Sequence, residues 1–66
     1  MKIWVNGMMT ESSDRSTVSD LLKQLAIQSE QAAVELNLAI LERADYGMTV
    51  LKDGDKLEII RFVGGG

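Results

Sequence analysis

Asn6-Gly7 constrains this chain more than any other pair of residues. A two-residue hairpin turn of type I′ needs φ > 0 at both central positions, a conformation Gly takes freely and Asn tolerates. Ahead of the pair, Met1, Ile3 and Val5 alternate with Lys2, Trp4 and Asn6, the period-two pattern of a half-buried strand. Met8 to Ser12 should therefore return antiparallel to the first strand. A hairpin cannot bury its apolar face alone, so a further element must cover it.

The covering element follows the polar stretch Ser12-Ser13-Asp14-Arg15-Ser16, a loop by composition. Val18, Leu21, Leu22 and Leu25 fall at i, i+3, i+4 and i+7 and form one apolar helical stripe, with Ser19, Asp20, Lys23 and Gln24 outward. Thr17 is a natural N-cap, and Asp20 three positions on makes a variant of the capping box near the positive end of the helix dipole. The helix should end before the polar connection Gln28-Ser29-Glu30-Gln31.

Beyond it, Ala32 to Leu36 reads as a strand, although its residues would also tolerate helix; Asn37-Leu38 reads as a turn and Ala39-Ile40-Leu41 as a short strand. Glu42 to Gly47 is a helical turn or loop, and Met48 to Leu51 is expected to be extended again. Asp53-Gly54-Asp55 is a tight turn before a last strand, Lys56 to Val63. One helix following a hairpin covers one sheet face. If the last strand returns beside the first, the product is an α+β fold. It is a mixed four- or five-stranded sheet around one main helix, the β-grasp or ubiquitin-like architecture, with its first and last strands parallel in the centre. No internal repeat or second domain is evident, so residues 1–66 are expected to form one domain.

At 66 residues there is room for one small core and little room for a deep substrate cleft. The chain contains no cysteine and no histidine, which removes disulfides, thiolate chemistry, the usual proton shuttle and the commonest metal ligand. No apolar run approaches the roughly 20 residues of a membrane span, and the N-terminus lacks the apolar stretch of a signal peptide. A cytoplasmic location without membrane contact is the expectation. A net charge of −3 with seven scattered Lys and Arg disfavours nucleic acid and favours a basic protein surface.

The sequence ends in Gly64-Gly65-Gly66, directly after a strand-like run. Taken alone, such a run reads as a frayed or linker end. Set behind an Asp-Gly-Asp turn and an apolar strand, in a chain without His or Cys, it carries the one group suited to chemistry. Glycines without Cβ can lie extended in a narrow slot and leave the last carbonyl carbon open to attack.

These blocks together resemble the bacterial thiamine-pathway sulfur carriers of the ThiS type. The resemblance runs through Val5-Asn6-Gly7, the Thr17-Val18-x-x-Leu21-Leu22 helix start, Val34-Glu35-Leu36-Asn37, Ile40-Leu41-x-Arg43, and Asp53-Gly54-Asp55 through Gly66. The last block is the specific one. One departure is Glu42, where members often carry proline before the arginine. The resemblance implies a carrier and not an enzyme, with no bound cofactor and no metal. An ATP-using, ubiquitin-activating-type adenylyltransferase (ThiF-like) adenylates the terminal carboxylate, a sulfur donor protein converts it to a thiocarboxylate, and a thiazole synthase (ThiG-like) takes the sulfur. Gly66 is then the covalent site, Gly65 the slender support, and Gly64 a further part of the flexible tail. The small-subunit type of molybdopterin synthase shares this chemistry but usually has a longer chain. A β-grasp interaction module with incidental glycines is the rival from another class.

Strand parity adds a second expectation. If Leu57 and Ile59 face the helix with Ile3 and Val5, then Ile60, Phe62 and Trp4 lie on the open sheet face, where they could form one apolar docking patch. The resemblance agrees, since ubiquitin-like carriers meet the activating enzyme through this face. Asp53, Asp55 and Glu58 lack calcium-loop spacing and read as a turn followed by an exposed strand residue. Glu42, Arg43, Asp45 and Tyr46 read as a solvated loop, and Met8-Met9 as strand packing.

Overall fold

In the computed structural model, which describes residues 1–62, Asn6 and Gly7 take φ of 50° and 81° and join β1 (Lys2–Val5) to β2 (Met8–Glu11). The remaining elements are α1 (Val18–Gln24), a 3-10 turn (Ser29–Gln31), β3 (Ala32–Leu36), β4 (Ala39–Leu41), a second 3-10 turn (Arg43–Asp45) and β5 (Lys56–Arg61). The sheet is five-stranded in the order β2-β1-β5-β3-β4. β5 lies parallel to β1 and antiparallel to β3, so the last strand is the central one, as the β-grasp expectation requires. Val63, whose strand assignment was expected, lies outside the described residues together with the three glycines.

The start of α1 is fully provisioned. Asp20 N–H donates to Thr17 Oγ1 (3.1 Å) and Thr17 N–H donates to the Asp20 carboxylate (3.0 Å), a reciprocal capping box. The Thr17 backbone N–H, then the Thr17 side chain and then the Lys23 charge hold the Asp20 carboxyl below the usual carboxylate range. The first two helical N–H groups, of Val18 and Ser19, donate to the carbonyls of Thr49 and Tyr46. The expected strand at Met48 to Leu51 is therefore reduced to one bridge, Thr17 to Val50, because this segment is occupied in closing the helix start.

At the other end, Ala26 N–H donates to Lys23 O and Ile27 N–H to Leu22 O, a Schellman motif. Its left-handed position is filled by Ala26 at φ 59°, where glycine is the usual occupant. The helix places Val18, Leu21 and Leu22 in the core with Ile3, Ala32, Val34, Tyr46, Leu51, Leu57 and Ile59.

Tyr46 corrects the solvated-loop expectation. It is buried, and its hydroxyl donates to the Ala32 carbonyl at 3.1 Å. β4 stops at Leu41, so the outward-facing Ala32 carbonyl has no strand partner, and the phenol supplies the missing donor. Asp55, read as a turn residue, is also buried: its carboxylate accepts from Lys52 N–H (2.7 Å) and from Asn37 Nδ2 (3.1 Å). Its partner residue in the turn, Gly54, has φ 88°.

Candidate functional site

β5 alternates as parity predicts, with Leu57 and Ile59 buried and Lys56, Glu58 and Ile60 outward. Two asparagines in the left-handed region grip this strand from its two sides. Asn37 Oδ1 accepts from Lys56 N–H at 3.0 Å on the β3 side. On the β1 side, Asn6 Oδ1 accepts from Ile59 N–H at 2.7 Å while Asn6 Nδ2 donates to the Ile59 carbonyl at 3.1 Å. β1 has ended at Val5 by this point, and the Asn6 amide stands in for the peptide group a longer strand would have offered. Sequence reading assigns Asn6 to its turn alone; a contact across 53 positions leaves no local signal.

The hydrogen-bond direction along β5 follows from its neighbours. Asn37 N–H donates to Lys56 O and Phe62 N–H to Gln31 O, so even-numbered residues bond toward β3. Asn6 N–H donates to Leu57 O, so odd-numbered residues bond toward β1. Phe62 thus extends the ladder one residue past β5. Gly64, Gly65 and Gly66, the expected stalk and covalent site, lie outside the described residues.

Ile60, Phe62 and Trp4 are exposed by 58%, 52% and 38%. Ile60 and Trp4 share the open face, but they do not join into one patch. Trp4 pairs in register with Lys56, four strand positions before Ile60, and Lys56 and Glu58 occupy the interval. Glu35 sits directly across from Glu58 and continues the polar band onto β3. The apolar surface is therefore divided. At one end Trp4 neighbours Met9 across the hairpin, and Met8 and Met9, expected as strand packing, are both exposed. At the other end Ile60 pairs with Ala33, and Phe62 lines one groove with Ala33, Ile40, Leu41, Arg43 and Tyr46. The expectation of a single patch fails because alternation defines a face but not the register of a parallel pair.

Among the described residues no group of three or more His, Cys, Asp or Glu is placed to hold a metal ion. No helix among these residues is long and apolar enough to cross a membrane. The arrangement can present the end of a rigidly held central strand beside exposed apolar side chains.

The sequence model of the ThiS family matches residues 3–66. A thiazole synthase of Paramagnetospirillum magneticum is 44% identical over the whole chain, which spans 20% of that protein's length. The sulfur carrier protein ThiS of Bacillus subtilis is 38% identical over 80% of this chain and 80% of its own. Among solved structures, the thiamine biosynthesis protein ThiS of Geobacter metallireducens superposes with a TM-score of 0.84 at 39% identity, covering all of both chains.

Proposed function

Because the chain belongs to the ThiS family of sulfur carriers, we propose that it carries sulfur for thiazole formation in thiamine biosynthesis as a thiocarboxylate on Gly66. A carboxylate is a poor electrophile. Adenylation by an ATP-using, ThiF-like adenylyltransferase converts it to an acyl-AMP and releases pyrophosphate; a sulfur nucleophile supplied by a donor protein then displaces AMP. A ThiG-like thiazole synthase receives the sulfur. The carrier needs no catalytic side chain, since charge developing on the acyl oxygen is stabilised by donors of the enclosing enzyme. ATP is the partner's cosubstrate, and the setting for all these encounters is the cytoplasm.

The observation that supports this reading most is the place of β5. The strand that precedes Gly64-Gly65-Gly66 is central, paired on both sides and clamped by Asn6 and Asn37, so its end is aimed by the whole sheet. The likeness of the full chain to one fifth of thiazole synthases supports the thiazole branch. Gly65 and Gly64 keep the approach to Gly66 thin, and Ile60, Phe62 and Trp4 are the docking contacts on the open face.

The test is the intact mass after incubation with the adenylyltransferase, ATP and a sulfur source. Sulfur replacing one oxygen is expected on the unmodified chain and absent when one residue is added after Gly66. Equal modification of the extended chain refutes the terminal-carboxylate mechanism.

A further inference from the structure

β5 outlasts β1, and the edge it leaves is open at one residue. By the alternation described above, Leu57, Ile59 and Arg61 direct their N–H and C=O groups toward the β1 side. Leu57 pairs with β1, and Ile59 is satisfied by the Asn6 amide. Arg61 comes next. Its neighbour across β3, Ala32, is the kind of partner that exchanges no main-chain bonds, because the flanking pair Phe62 and Gln31 is a bonded one. No described residue meets the N–H or C=O of Arg61, which is exposed.

An open backbone edge is a template for an added strand. Sheets also have outer edges, and here those are β2 and β4. The Arg61 edge differs because it belongs to the central strand, is continuous with a position where an amide already pairs from the same side, and lies three residues before the terminal glycines in sequence. On this strand Ile60 lies outward on the open face, so a peptide added here would gain main-chain bonds from Arg61 and an apolar contact from Ile60.

We infer that the adenylating partner docks by laying an extended segment of its own backbone along the Arg61 edge of β5, in line with β1 and beyond Asn6. This deepens the sulfur-carrier reading and rests on it. The occupant is an extended polypeptide with an apolar side chain against Ile60. It bonds through its main chain to the N–H and C=O of Arg61, and Asn6 marks where the added strand begins.

A chain of 66 residues is within reach of chemical synthesis, so the backbone itself can be altered. N-methylation of Arg61 removes a donor that meets no acceptor among the described residues; N-methylation of Met9, whose N–H faces outward on edge strand β2, is the control. Affinity for a purified ThiF-like adenylyltransferase is measured by titration without ATP, alongside thermal unfolding. The expected result is about tenfold weaker binding for the Arg61-methylated chain, the loss of about one main-chain bond. Its unfolding temperature and the affinity of the Met9-methylated chain should stay unchanged. Unchanged affinity after Arg61 methylation overturns the inference, as does an unmodified chain that does not bind. If methylation disturbs folding, amide exchange on the unmodified chain decides: an Arg61 N–H that slows on adding the enzyme supports the edge, and an unaltered rate refutes it. A chain that binds through Arg61 yet is not adenylated refutes the sulfur-carrier reading and leaves the docking edge standing.

Discussion

The side-chain amide of Asn6 brackets the peptide of Ile59, accepting from its N–H at 2.7 Å and donating to its carbonyl at 3.1 Å. Asn6 also occupies φ 50° in the hairpin turn, so one residue both reverses the chain and secures the central strand. Asn6→Gly keeps the turn conformation and deletes only the clamp. It should cost about 1–3 kcal/mol, the penalty for a strand peptide left without partners. Asn6→Ala should cost more, because alanine adds the strain of a left-handed backbone. Urea denaturation of the two variants checks both the size and the order; equal losses would mean the turn conformation contributes nothing.

The same accounting applies to Tyr46. Tyr46→Phe retains the buried ring and removes the donor to the Ala32 carbonyl, with an expected loss of about 1–3 kcal/mol. An unfolding temperature equal to that of the parent would show that the carbonyl finds another donor.

Such contacts mark the limit of what the sequence alone discloses. Ala32–Leu36 and Ala39–Leu41 match their expected bounds, and Thr17 caps the helix as its chemistry requires, because alternation and capping act between residues a few positions apart. The Asn6 clamp and the burial of Tyr46 and Asp55 depend on where distant strands end, which no local pattern encodes. The exposed character of Ile60 and Trp4 is legible from parity; the polar band of Lys56, Glu58 and Glu35 between them is not, since it follows from register.

That band makes the two apolar areas separate in energy as well as in space. Ile60→Asp should fold normally and weaken the complex with the adenylyltransferase, and Trp4→Ala should act independently of it. In a double-mutant cycle on binding, sites without shared partners add to within about 0.5 kcal/mol. A larger coupling would restore the single patch. Ile60→Asp with undiminished affinity would remove the open face from the docking surface.

Besides the two asparagines, three residues hold left-handed backbone where glycine is customary: Arg15 at φ 66°, Ala26 at φ 59° in the Schellman motif and Leu38 at φ 73° in the β3–β4 turn. Leu38 is 92% exposed and contributes nothing to the core. Left-handed strain costs roughly 1–2 kcal/mol per residue, and glycine returns about 0.5–1 kcal/mol of it in chain entropy. Ala26→Gly and Leu38→Gly should each raise stability by about 0.5 kcal/mol. Because the sites are far apart in the fold their gains should sum, which thermal unfolding of the double variant tests.

Acid sensitivity has one identifiable source in the capping box. The Asp20 carboxyl is held below its ordinary range, first by the Thr17 N–H and then by the Thr17 side chain and Lys23. A carboxyl with a depressed folded-state value binds its proton more readily when unfolded. Its contribution is therefore present at neutral pH and is lost as pH falls from about 4 toward the folded value. Thr17→Ala should cost about 1 kcal/mol at neutral pH, and Asp20→Asn should flatten the acid limb of a plot of unfolding temperature against pH. An acid limb of the same slope in Asp20→Asn would place the sensitivity elsewhere.

The strand order also governs when the molecule can form. β1 finds its inner neighbour only in residues 56–61, so a growing chain that lacks them has a hairpin and a helix but nothing to close around. Pairings between distant parts of a chain are slow to form, and here the most distant one joins the first strand to the last. The open face is complete only once β5 has entered between β1 and β3. An enzyme that recognises this face therefore meets only chains in which β5 has taken its central place, a check enforced by topology.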